Sequence, residues 1–183
     1  MRSFTRPPNN TKNFRQKKYE EGLSKEQYPD TLAFSSTPYS NVGATYEQAH
    51  SFEIPPKFIS GKGDSIRCRY VGVTAASVNT KAVEIRYGGA TLFNARVDDG
   101  TGVAFLWTVE VELFGSAVNN QEQIIVAKVF SSQASFTTSE IYGGVFITTE
   151  DANSPQSIEI YVAGSLAGEI TFKLAKLEFS PAP

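Results

Sequence analysis

Nucleophilic hydrolysis needs a serine or cysteine with a histidine placed beside it. This chain has one histidine, His50, and one cysteine, Cys68. Cys68 alternates with Ile66 and Tyr70, so it reads as a small core residue and not as a nucleophile. His50 reads as a surface or interface residue, and one residue of each kind is too few for a histidine–cysteine zinc site. A glycosidase needs only two carboxylates, and Glu110 and Glu112 fall on one face of a strand-like run. Residues two apart on a strand are only about 7 Å from each other, which reads as a solvated exterior stripe. Asp98-Asp99-Gly100-Thr101-Gly102 has the residue types of a calcium turn but lacks the spaced set of oxygen ligands that calcium requires. Glu150-Asp151-Ala152-Asn153 is a plain acidic loop. Neither GxGxxG nor GxxxxGK opens a helix, so the glycines read as turns and not as phosphate cradles. The expectation is a protein that is not an enzyme, with no catalytic residue, no metal and no cofactor.

The elements that would position any site are written in period two from Ser51 onward. SFEIPP is stopped by Pro55 and Pro56, which cannot donate to a ladder. DSIRCRYVGV alternates Ile66, Cys68 and Tyr70 with Arg67 and Arg69. KAVEIRY sets Val83, Ile85 and Tyr87 against Glu84 and Arg86, and Gly88-Gly89 is a two-residue hairpin signal leading into ATLFNARV. AFLWTVEVELFG points Phe105, Trp107, Val109, Val111 and Leu113 one way. EQIIVAKVF is apolar on both faces, as in a central strand or one covered by a partner. ASFTTS and GVFITTE read as two weaker strands, and SIEIYVAG alternates through Ile158, Ile160 and Val162. In GEITFKLAKLEFS the phase slips from Ile170, Phe172 and Leu174 to Ala175, Leu177 and Phe179, which predicts a β-bulge near Leu174-Ala175. Eight to ten strands, no helix and turns every 8 to 12 residues predict an all-β fold. Its expected form is an antiparallel β-sandwich, an eight-stranded jelly roll over residues 51–183.

Composition agrees with strands: 13 Phe and 8 Tyr stand against one Met and one Trp, and aromatics suit a pleated surface. Hydrophobic residues at 40% supply a core. A lone cysteine leaves the fold to packing alone and fits assembly in a reducing compartment. No apolar run approaches the roughly 20 residues that a spanning helix needs, and residues 1 to 20 lack the apolar segment of a signal peptide. The expectation is a soluble protein with no membrane partner.

Residues 1–50 have a different grammar, without periodic apolar faces, and read as an extended N-terminal arm. Six cations and no acid occur in residues 1–18, leaving 11 cations against 19 acids in the remainder, a net of −8. A solvated tail and a docking arm both fit that composition. The candidate contacts are Arg2, Phe4, Arg6, Phe14, Arg15, Lys17, Lys18, Tyr19, Tyr28, Phe34, Tyr39 and Tyr46. With few aromatics interleaved among the cations, docking on an acidic protein surface is favoured over nucleic acid.

The succession GDSIRCRYVG, NTKAVEIRYGGATLF and FLWTVEVELF resembles the β-sandwich modules of tailed-bacteriophage virion proteins. Gly63-Asp64 precedes a strand, Asn79-Thr80-Lys81 opens a hairpin that turns at Gly88-Gly89 into Leu92-Phe93, and Trp107 lies on the strand that follows. The resemblance covers residues 51 to 180. It implies a virion component, found among capsid decoration (cement) proteins, head fibres and tail-fibre or tailspike parts, often trimeric. A single module without a heptad stem fits a decoration protein. On that expectation the chain assembles in the host cytoplasm and resides in the virion. Three copies bury the Ile124, Val126 and Phe130 side, and their arms clip the major capsid protein or another virion protein. The rival expectation is a receptor- or glycan-binding module of a head or tail fibre, with Tyr142 and Tyr161 stacking on sugars. A third is a small icosahedral capsid protein whose arm faces the genome.

Overall fold

The computed structural model describes residues 30–54, 65–98, 102–115, 123–133, 138–148 and 154–180. Eleven strands occur among them: β1 (Asp30–Ser35), β2 (Tyr39–Ser40), β3 (Glu47–Ile54), β4 (Ser65–Thr74), β5 (Lys81–Tyr87), β6 (Ala90–Arg96), β7 (Phe105–Gly115), β8 (Gln123–Gln133), β9 (Thr138–Thr148), β10 (Gln156–Gly164) and β11 (Ile170–Ser180). They form two antiparallel sheets. The larger has the order β1-β11-β4-β7-β8-β9, with β2 also on β11, and the smaller has the order β3-β10-β5-β6. β5 and β6 make a hairpin in the smaller sheet, while β4 and β7, which flank them in sequence, pair in the larger one. One ribbon thus crosses between the sheets, the winding of a jelly roll.

Period two in the sequence becomes burial because alternate side chains leave opposite faces of a strand. Ile66, Cys68 and Tyr70 of β4 are buried, and so are Trp107, Val109, Val111 and Leu113 of β7, Val83, Ile85 and Tyr87 of β5, and Ile158, Ile160 and Val162 of β10. Together with Phe172, Ala175, Leu177 and Phe179 of β11 they make one core between the sheets. The Tyr70 hydroxyl, buried there, donates to the Ile158 carbonyl of the opposite sheet at 3.0 Å. The hairpin at Gly88 and Gly89 turns with φ of 58° and 84°, the pair of positive angles that glycine supplies without steric cost. The expected bulge in β11 is present. The register against β4 shifts between Phe172 and Leu174, so Lys173 is the extra residue and the phase of the inward side chains changes there.

Three expectations change. The boundary at residue 50 does not follow the strand pairing: β1 and β2 lie along β11, and β3 starts at Glu47. Eleven strands occur among the described residues, where the expected jelly roll has eight. The two weak strands expected in ASFTTS and GVFITTE give way to one, β9, which runs through the Glu-Ile-Tyr-Gly between them and pairs with β8 along its length. The part of the expected arm spanning residues 1–29 lies outside the described residues.

Trp107 explains why Gly72 has no side chain. The two residues face each other across β4 and β7, and a Cβ at position 72 would run into the Trp107 ring and the Thr171 carbonyl oxygen. The indole is fully buried and one of the obstacles is backbone, so neither gives way cheaply. Gly72→Ala is expected to destabilise the fold by roughly 3 kcal/mol. That corresponds to a fall in Tm of roughly 6–12 °C for a domain of this size, measured by thermal denaturation.

Candidate binding surfaces

The outward side chains divide the larger sheet in two. At its centre, β4 and β7 are in register with Arg67 opposite Glu112 and Arg69 opposite Glu110. Both pairs close as ion pairs, at 3.1 Å and 3.2 Å. Next to them Lys176 and Glu178 pair along β11 at 2.6 Å. Exposed pairs of this kind each add little to stability, roughly 0–1 kcal/mol. They do neutralise the two carboxylates whose spacing raised the question of glycoside chemistry.

Toward the β9 edge the same face becomes apolar. Ile124, Val126 and Phe130 leave the outer face of β8, half-buried, with the exposed Lys128 between the last two. On β9, Ile147 lies opposite Ile124 and Val145 opposite Val126, and they are 70% and 67% exposed. The inward residue between them, Phe146, stacks on Phe93 of β6 with ring centroids 5.8 Å apart, which anchors β9 to the other sheet. The Ile124, Val126 and Phe130 side expected to meet other copies is therefore on the solvent face, and Val145 and Ile147 enlarge it. Exposed apolar residues that adjoin each other in this way mark interaction surfaces. Periodicity alone did not reveal the β9 pair as part of it, because that needs the β8–β9 register.

The smaller sheet presents a polar outer face. The Arg86 guanidinium lies over the Tyr161 ring, 3.9 Å from its centroid, and donates through Nε to Glu84 Oε1 at 2.6 Å. The Tyr161 hydroxyl donates to Glu159 Oε2 at 3.0 Å, and Ser157 donates to the other oxygen of that carboxylate at 2.7 Å. Burial, and then the bond to Glu159, raises the Tyr161 phenol above its ordinary pKa. Hydrogen bonding to Glu84 raises that of Arg86. Such a surface can donate and accept hydrogen bonds beside an aromatic ring, which suits a polyhydroxylated ligand, although Arg86 already occupies one ring face. Tyr142 lies on β9 of the larger sheet, so the two tyrosines expected to stack on sugars are not brought together.

At one end of the sandwich, polar groups tie three loops. The buried Asn41 side chain donates to the Gly43 and Leu166 carbonyls, each at 2.9 Å, and accepts from the Ile170 amide at 3.0 Å. Glu169, also buried, accepts from the Ser77 hydroxyl, the Asn79 amide group and the Leu166 N–H. Burial alone would raise the Glu169 carboxyl, but those donors and the charge of Lys81 outweigh it and hold the group below the ordinary range. Asp98, the first residue of the calcium-like turn, accepts from the Lys81 N–H at 2.6 Å and from Arg96. Its carboxylate therefore serves the backbone. No cluster of three or more His, Cys, Asp or Glu side chains suited to a metal occurs among the described residues.

Three of the expected arm contacts, Phe34, Tyr39 and Tyr46, are among the described residues. Phe34 is exposed on β1. Tyr39 donates to Glu47 at 2.6 Å and packs against the core. Tyr46 is half-buried, and burial followed by the charge of Glu84 raises its phenol. Arg2, Phe4, Arg6, Phe14, Arg15, Lys17, Lys18, Tyr19 and Tyr28 lie outside the described residues. Cys68 is buried and unreactive, its thiol pushed up by desolvation. His50, expected at the surface, points inward from β3 and stacks on Phe172 at 5.4 Å, edge-on to Phe52 at 4.6 Å.

No family model and no curated protein matches the chain. Solved structures that overlap it at low similarity include a phage module, a lectin and a subviral particle. The CBM2 module of the evolved Dit protein of Lactobacillus casei phage J-1 aligns with 86% of this chain and 99% of its own, at 9% identity and a TM-score of 0.35. Lectin I of Ulex europaeus, in complex with the methyl glycoside of α-L-fucose, aligns with 85% of this chain and 94% of its own, at 10% identity and a TM-score of 0.32. The VP2 subviral particle of infectious bursal disease virus aligns with 85% of this chain and 41% of its own, at 14% identity and a TM-score of 0.28. At these TM-scores the likenesses bear on neither mechanism nor partners.

Desolvation lowers the pKa of His50 from its ordinary 6.5, and its Nε2 is buried without a hydrogen-bond partner among the described residues. The unfolded chain therefore binds a proton that the folded chain refuses, and stability falls as pH drops below about 6.5. The loss levels off below the folded value, and the carboxylates Glu47 and Glu169 act only from about 4.5 downward. His50→Phe keeps the stack on Phe172 and is expected to remove the slope in Tm between those two windows, measured by thermal melts across pH.

Proposed function

We propose that this chain is a bacteriophage virion structural protein that acts by association and carries out no chemical step. The observation that carries the reading is the apolar strip of Ile124, Val126, Phe130, Val145 and Ile147 on the outer face of β8 and β9. Burying such a strip against another protein is favourable, at roughly 25 cal/mol per Å² of apolar surface. The ion-paired half of the same sheet stays soluble beside it. The strand and turn order that resembles phage virion modules supports the same reading, since Asn79-Thr80-Lys81 leads into β5, Gly88-Gly89 turns the β5–β6 hairpin and Trp107 sits on β7.

Within that class the chain is proposed to be a capsid decoration protein. The sandwich forms the body, and residues 1–29, with their concentration of positive charge, dock on the shell formed by the major capsid protein. Complementary charge steers such an encounter, and several weak contacts per assembly multiply into stable attachment. The polar face around Tyr161 and Arg86 favours a second reading, a glycan-binding module of a fibre.

Deletion of residues 1–29 removes none of the eleven strands among the described residues. The truncated protein is expected to keep its Tm and to lose binding to shells in a co-sedimentation assay. Undiminished shell binding would sink the decoration role, and saturable binding of the sandwich on a glycan array would move the assignment to the second reading.

A further inference from the structure

We propose that two copies of this chain join edge to edge through β9, antiparallel about a two-fold axis that passes at Val145. The inference rests on the outer face of β8 and β9 being an assembly surface, and it names the partner as a second copy.

Sheet edges offer unpaired backbone donors and acceptors to any passing strand, and proteins guard them with bulges, charges, proline or short length. Among the described residues the two sheets have four edges, and three of them are guarded. β1 is six residues long and bulged between Thr31 and Ala33. β3 shifts register against β10 and carries Glu47 and an exposed Glu53. β6 has an irregularity opposite Arg86 and presents Arg96, half exposed. β9 differs. Among the described residues it pairs only with β8, and its regular stretch, Tyr142–Thr148, has the sequence YGGVFIT without a charge or a proline.

That stretch is also self-complementary. It is seven residues long and follows the register shift opposite Val129 and Phe130, so its midpoint is Val145. An antiparallel mate centred there places Val145 opposite Val145, and Ile147 opposite Gly143. The outward apolar residue of one copy then lies over the position where the other has no side chain, and symmetry repeats the fit. Val145 and Ile147, 67% and 70% exposed in the single chain, each gain a cross-strand neighbour from the other copy. A two-fold interface of this kind uses one surface twice. The paired stretch of β9 carries no charge of its own, and the nearest charge on this face is Lys128 of the neighbouring β8, in register with Gly143. The pairing builds dimers in place of the three-fold arrangement that the phage resemblance implies.

The test uses the full-length chain and two substitutions. Val145→Lys sets two like charges face to face at the axis, and the dimer dissociation constant read by sedimentation equilibrium is expected to rise roughly 100-fold or more. The side chain is mostly solvent-exposed in the single chain, so Tm extrapolated to the monomer should not change. Directly opposite residues of an antiparallel pair lie within disulfide reach, so Val145→Cys is expected to form a linked dimer on mild oxidation. Val42→Cys and Val78→Cys, equally exposed but on loops, are expected to cross-link far more slowly. The native Cys68 is buried and does not interfere. A wild-type monomer at every concentration, a trimer, a dimer that V145K leaves intact, or a V145C chain that links no faster than V78C each overturns the proposal. Self-association is read with no particle present. A dimer that binds no shell therefore upholds the β9 pairing while removing the decoration role, and a monomer that binds shells does the reverse.

Discussion

Where Trp107 lies against Gly72, three strands of the larger sheet meet in one contact. Trp107 belongs to β7 and Gly72 to β4, and the Thr171 carbonyl that also borders the glycine belongs to β11. Phe172 is opposite Gly72 on the other side, and His50 of the smaller sheet stacks on Phe172. A row of rings, with one gap left by a glycine, thus runs across the larger sheet and touches the smaller one. A slip of one residue in β4 would turn Arg67 and Arg69 into the core and expel Ile66, Cys68 and Tyr70. The contact at Gly72 admits no such slip, and with β4 held, its partners β11 and β7 are held as well.

The outer faces follow from that register. Arginines sit opposite glutamates only because β4 and β7 meet as they do, and the next strand, β8, inherits its alternation from β7. Ile124, Val126 and Phe130 are directed outward because Ile125, Ala127 and Val129 are needed inside. The sheet therefore passes from ion pairs at its centre to apolar side chains at its β9 edge. Core packing and the binding surface are two sides of one alternating pattern.

Polar residues near the ends of the sandwich do a different job. Asn41 bonds to the chain at Gly43, Gly164, Leu166 and Ile170, and Glu169 gathers Ser77, Asn79 and Leu166. These two buried polar groups find several partners each, where leaving one unpaired would cost about 1–3 kcal/mol. These bonds attach the segment before β3 to the body of the sandwich. That attachment is why residues 30–50 belong to the fold although their apolar residues follow no period.

Local pattern was enough to determine the β-class, the inward sets of β4, β5, β7 and β10, the Gly88-Gly89 hairpin and the slip in β11, because alternation and turn chemistry are written along a few consecutive residues. The same pattern showed that β8 has a second apolar face. It did not show β1 and β2, which are short and exist by leaning on β11, nor the inward course of His50, which depends on the pairing of β3 with β10. The charge partners of Glu110 and Glu112, the meeting of Arg86 with Tyr161, and the joining of Val145 and Ile147 to the β8 strip were likewise decided in three dimensions. Each depends on which strands become neighbours and in what register. Those choices are made by closing the core over residues far apart in the chain.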